Sequence, residues 1–323
     1  MRWLGLFWAA IAVTAHGGVA TAAPPCPPHS DGIALFSQRM ESQFSALPDA
    51  HSQTLRDLLG REEATPYIWY GSPAYSQTST VWIEVKLEDG KLEYCTGVLV
   101  GLHWVLSAAH CLNNQALLEV GFGPGTNGKG PVGARVKARV IDRILPDDFD
   151  ANGLRMQPGR DLALLRIGHV DICAEYKRPS PVLRMASLLK ANSPSLWAVG
   201  YGLTEKNEYG EKRMTALSPV SLTCTTSLGK KSNCQPFREF IASDTAGALN
   251  PSAGGDTCEG DSGGPLFMKT KSGMPVAGIT SRGLDRFGRP ADTCGYGGIY
   301  SFAGSNTALQ WLRTYVPDLQ VVE

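Results

Sequence analysis

The 323-residue sequence carries no excess of charge of either sign, since 30 Lys and Arg balance 30 Asp and Glu. Without a basic surplus or a long basic block there is no electrostatic footprint for nucleic acid or for an anionic membrane. Long apolar runs are missing as well. Trp3 to Val13 is apolar but too short to cross a bilayer, and no other stretch qualifies. Histidine is scarce, six in all. Apart from His110, the set His16, His29, His51, His103 and His169 shows no metal-ligand spacing, which argues against zinc. Helical crossovers between the strand-sized runs are lacking too, which excludes a parallel sheet and favours antiparallel barrels. Two loop look-alikes each lack a decisive residue. Gly123 to Lys129 has the glycine and lysine spacing of a phosphate loop, but Gly130 stands where Ser or Thr must hold magnesium. Asp148 to Gly153 begins like a calcium loop, but Gly159 stands where a bidentate Glu is needed. No cofactor and no metal are expected.

What is present begins with an export signal. Arg2 gives a positive start, the apolar stretch follows, and Ala20-Thr21-Ala22 offers a small-residue cleavage site, so residues 1–22 read as a signal peptide. Eight cysteines in an exported chain imply disulfides in an oxidising compartment, secreted or periplasmic. Residues 23–67 read as a pro-segment or N-terminal extension. Pro24 to Pro28 form an extended linker; Ile33, Phe36, Met40, Phe44 and Leu47 then recur at helical spacing, and Leu55, Leu58 and Leu59 mark a second short helix ended by Gly60. From about Thr80 the pattern is all-β: Val81, Ile83 and Val85 alternate, and Tyr94 to Val100 is a second strand.

The most informative stretch is Gly260-Asp261-Ser262-Gly263-Gly264-Pro265. A serine hydroxyl is a weak nucleophile that needs a neighbouring base and a pair of N–H groups for the developing oxyanion. Glycines around Ser262 permit a tight turn and close approach to the N–H groups of Gly260 and Ser262. Upstream, Ser107-Ala108-Ala109-His110-Cys111 follows the buried run Trp104-Val105-Leu106, and Arg160-Asp161 heads the apolar run Leu162 to Ile167.

These three stretches, in the order His, Asp, Ser, resemble the trypsin/chymotrypsin family of serine endopeptidases. The resemblance implies two antiparallel six-stranded β-barrels, about 68–178 and 179–304, with a C-terminal helix over about 306–316 of a domain spanning 68–323. It implies His110 as general base, Asp161 as its orienting carboxylate and Ser262 as nucleophile. Disulfides Cys95–Cys111 and Cys258–Cys294 are expected, with Cys224–Cys234 as a third and Cys26–Cys173 as a tether to the extension. Asp256, six residues before Ser262, falls at the floor of the primary pocket, where a buried carboxylate selects Arg or Lys. Gly283 and Gly298 leave the walls open; Ser281 should lie beside Asp161, and the Ser281 carbonyl and Gly283 backbone should pair with the substrate main chain. The partners implied are protein or peptide substrates, an activating protease and inhibitors, acting on a monomer.

Two departures stand out. Arg282 replaces the usual aromatic residue, and as an exposed cation it would favour acidic or polar groups at the next subsite. The usual basic residue before Ile-Val-Gly-Gly is also absent, the nearest stretch being Ile68-Trp69-Tyr70-Gly71 behind Tyr67. In the family the new amino terminus pairs with the carboxylate beside the nucleophile, here Asp261. Arg61 is a basic cut site but would expose Glu62. Three routes stay open: a cut before Ile68 by an enzyme of other specificity, activity without insertion, or an inactive precursor. The alternative function is a catalytically silent homologue that binds proteins through the same cleft.

Overall fold

A computed structural model describes residues 68, 71–87, 90–112, 117–123, 125, 136–150, 157–170, 178–204, 209–245, 249 and 254–323. The signal, both N-terminal helices, Trp69, Tyr70, Cys26, Cys173 and most of the phosphate-loop look-alike lie outside these residues.

After a two-residue strand β1 (Ser72–Pro73), six antiparallel strands close the first barrel: β2 (Thr80–Lys86), β3 (Leu92–Gly101), β4 (Trp104–Ser107), β5 (Leu117–Phe122), β6 (Val136–Ile144) and β7 (Ala163–Ile167), in the order β2-β3-β4-β7-β6-β5. The alternation read from Val81, Ile83 and Val85 points those side chains into the core. Trp82 faces the other way and is fully buried against Gly121, its cross-strand partner.

The rest of the chain contributes β8 (Val182–Leu183), β9 (Leu196–Gly200), β10 (Arg213–Ser221), β11 (Glu239–Ser243), β12 (Pro265–Met268), β13 (Val276–Gly283), β14 (Gly298–Phe302) and β15 (Val321–Val322). The path β12-β9-β10-β11-β14-β13 closes through the β12–β13 pairing into a second six-stranded barrel, with β1 added on β10 and β8 joining β13 to β15. Phe240, Tyr300 and Phe302 stack in its core, Phe240 lying 4.6 Å from Phe302 and 5.6 Å from Tyr300. Helices are short: α1 (Met185–Lys190), α2 (Ser227–Lys231) and α3 (Asn306–Tyr315). Ser305 caps α3 by accepting the Ala308 N–H at 3.2 Å. Its apolar face, Ala308, Leu309 and Leu312, joins the first barrel's core. The C-terminal segment thus straps one half to the other.

Candidate active site

Ser107 of β4 lies opposite Ala163 of β7. The chain leaving β4 turns into a short 3-10 helix, Ala109–Leu112, that carries His110, and Asp161 sits two residues before β7 begins. Both side chains therefore emerge at the same end of the barrel. Asp161 is fully buried. Its Oδ2 accepts from His110 Nδ1 at 2.8 Å and from Ser281 Oγ at 2.6 Å, and Oδ1 accepts the His110 backbone N–H at 2.9 Å. Burial alone would raise this carboxyl, but the adjacent His110 and the hydrogen bonds from His110 and Ser281 hold it below its ordinary value. An ionised carboxylate only accepts, so Nδ1 carries the proton of that bond and Nε2 is the ring's acceptor.

Ser262 comes from the other barrel. The Gly263 N–H donates to the Thr280 carbonyl at 2.8 Å and the Thr280 N–H returns to Gly264 at 2.9 Å, which binds the turn to the residue just before Ser281. From the first barrel, Thr96 of β3 donates its N–H to the Ser262 carbonyl and its Oγ1 to the Gly260 carbonyl, each at 2.8 Å. Cys111 Sγ stands 3.9 Å from His110 Nε2 and 3.6 Å from the Ser262 carbonyl oxygen. All three motif segments thus meet at the seam between the barrels.

Within that turn the N–H groups of Asp261, Gly263 and Gly264 go to the carbonyls of Cys258, Thr280 and Asp261. Those of Gly260 and Ser262 have no acceptor among the described residues. Gly260 holds φ at 90°, and a Cβ there would come within 2.9 Å of Gly202 Cα. Only glycine suits it.

Two further aspartates are sealed from solvent. Asp256 accepts the N–H groups of Thr257, Gly295 and Gly297 at 2.8, 2.9 and 2.9 Å. Asp261 accepts those of Gly202 and Cys258 at 2.8 and 2.9 Å. Loss of solvation outweighs these bonds, and each carboxyl is pushed up to about 7. Gly298 lies opposite Gly283 in the β13–β14 pairing. The Gly283 carbonyl already takes the Ala291 N–H at 3.1 Å. Disulfides join Cys95 to Cys111, Cys224 to Cys234 and Cys258 to Cys294. Cys95, His110 and Cys111 cluster tightly enough to suggest a metal site, but sulfurs joined in a disulfide offer no thiolate.

Arg282 differs from its sequence expectation. Its side chain is 8% exposed and pairs with Glu239, at 0%, so it is not a free cation facing the cleft. Glu239 was not singled out from the sequence. A signal existed: like Asp161, it is a lone carboxylate heading an apolar run, Phe240-Ile241-Ala242. Thr96, which ties the barrels at the Ser262 turn, carries no comparable mark.

A family model described as Trypsin matches residues 68–311, about three quarters of the chain, and the chain belongs to the trypsin family of serine proteases. It is 26% identical to Spermosin of Halocynthia roretzi over 282 residues, covering 82% of this chain and 64% of that protein. It is 31% identical to Serine protease 56 of Mus musculus over 229 residues (68% and 34%) and 24% identical to Ovochymase of Halocynthia roretzi over 234 residues (68% and 13%). The chain spans less than two thirds of the length of each of these relatives.

Proposed function

We propose that this protein is a serine endopeptidase that cleaves after Arg or Lys through an acyl-enzyme. The observation that carries the reading is the pair of N–H groups, on Gly260 and Ser262, that have no acceptor among the described residues, together with a buried Asp161–His110 couple. Ser262 Oγ bonds to the scissile carbonyl carbon while His110 Nε2 takes the hydroxyl proton, and the carbonyl's electron pair moves onto its oxygen, which the two N–H groups receive. The C–N bond then breaks as His110 returns the proton to the leaving amine. Water repeats the sequence to release the acid. Asp161 keeps the ring in the tautomer this needs. Asp256, at the pocket floor, meets the substrate's cation between walls that include Gly283 and Gly298, and Ser281 and Gly283 align its main chain.

The three disulfides and the apolar leader support an exported product with signal 1–22, extension 23–67 and protease domain 68–323. A specific observation favours keeping a second reading, a locked precursor. In the uncut chain Asp261 is buried with backbone N–H partners alone among the described residues, the state expected before a new amino terminus arrives. A fluorophosphonate probe and an Arg-containing peptide separate the two. The endopeptidase labels at Ser262 and cuts after Arg, and Ser262→Ala loses at least about ten-thousandfold in kcat/KM. A protein purified with its native processing that does neither is the locked or silent form.

A further inference from the structure

Glu239 of β11 receives the Arg282 guanidinium as a fork, Nη1 on Oε1 at 2.7 Å and Nη2 on Oε2 at 2.9 Å. Such a parallel pair fixes the plane of the guanidinium as well as its position. Nη2 also reaches the Asn233 carbonyl at 2.9 Å. The same carboxylate accepts the N–H groups of Gly159 at 2.7 Å and Gln235 at 2.8 Å. Gly159 lies two residues before Asp161, so Glu239 holds the backbone on one side of that aspartate and the arginine on the other. The remaining bond of Nη1 goes to Ser281 Oγ at 3.2 Å.

The direction of that last bond matters. A guanidinium has no acceptor, so Ser281 Oγ must accept from Arg282, and its own proton is left to point at the acceptor 2.6 Å away, Asp161 Oδ2. We propose that Arg282, clamped by Glu239, is a positioning residue that acts through Ser281 to orient the Asp161 carboxylate toward His110. The inference rests on the endopeptidase reading above. It extends the chain of bonds behind His110 by two side chains, Arg282 and Glu239, that contribute no atom to bond making. Where bonds in series polarise one another, loss of a remote member is felt at the near end.

The test is a double-mutant cycle on the active enzyme, with Arg282→Gln, Ser281→Ala and their combination, assayed on one Arg peptide across a pH series. Arg282→Gln is expected to lower kcat about fivefold, the worth of one weakened hydrogen bond, with KM changed less than about twofold. The acidic limb of its kcat/KM profile moves to higher pH, because a Ser281 hydroxyl no longer polarised by Arg282 donates more weakly to Asp161 and leaves the carboxylate more charge for the imidazolium. In the Ser281→Ala background the same change adds less than about twofold, since the route is already cut. If Arg282→Gln does not accumulate folded, Arg282→Lys, which keeps the charge over Glu239 but not the fork, enters the same cycle. Wild-type kcat and an unmoved limb in the arginine variant would overturn the proposal, as would losses that multiply with those of Ser281→Ala. A wild-type protein that neither labels nor cleaves would instead remove the endopeptidase reading on which it rests.

Discussion

Asp161, Asp256 and Asp261 are all sealed from solvent, yet burial prevails at only two of them. Asp161 has an imidazole and a hydroxyl on its oxygens and stays low, while the others, which among the described residues have only backbone N–H partners, rise to about 7 from 3.8. Between those values the folded chain holds protons that the unfolded chain has released. Their stabilisation is complete below the unfolded value and fades as pH climbs to about 7. Asp256→Asn and Asp261→Asn should each flatten the fall in melting temperature between about pH 4 and about pH 7. Identical slopes in wild type and both variants would contradict the assignment. Cation binding runs the other way, because it needs the ionised form. If Asp256 receives the substrate's guanidinium, an alkylguanidine inhibitor should bind about tenfold more weakly at about pH 6 than at about pH 8. Equal inhibition constants would show that the cation sits elsewhere.

At the scale of elements, legibility followed how local the cause was. Val81, Ile83 and Val85, the Tyr94–Val100 run and the 306–316 helical face were readable because each pattern repeats within one element, and they appear as β2, β3 and α3. The two-residue strands β1, β8 and β15 were not, since they exist only through partners such as Met214, Val276 and Val182. The same holds at the site. The three motif segments announce themselves by composition, whereas the Arg282–Glu239 pair joins residues 43 positions apart, and Arg282 read alone looked exposed. Gly121 is another case: as a glycine in a strand it gives little away, but a Cβ there would fall 1.9 Å from the ring of Trp82. Because that tryptophan is fully buried it has nowhere to go, and Gly121→Ala should cost about 1–3 kcal/mol. Urea unfolding would read this directly, and an unchanged midpoint would mean that the β2–β5 pairing yields more easily than its packing suggests.

For the molecule as a whole, the proposed chemistry depends on two barrels holding parts of one site, and a shift of an ångström between them can cost orders of magnitude in rate. Apolar contact across the seam comes from Trp82 and Tyr201, whose rings meet edge-on at 5.8 Å, and from α3. Direction comes from Thr96. Its hydroxyl donates to the Gly260 carbonyl and accepts the Tyr201 N–H at 3.2 Å, its N–H holds the Ser262 carbonyl, and its own carbonyl takes Ser107 Oγ at 2.8 Å. Thr96→Val keeps the shape and removes only the hydroxyl, and with it the bonds to the buried Gly260 carbonyl and from the Tyr201 N–H, at about 1–3 kcal/mol. The carbonyl that loses its anchor is on the same residue, one Cα away from the Gly260 N–H proposed to face the oxyanion. The variant should therefore lose kcat more than it raises KM, by about tenfold on the scale of a disturbed oxyanion donor. Thr96→Ser, which restores the hydroxyl, should recover most of that rate. A valine variant with full kcat, or a serine variant as slow as the valine one, would mean that the seam is aligned by its apolar contacts alone.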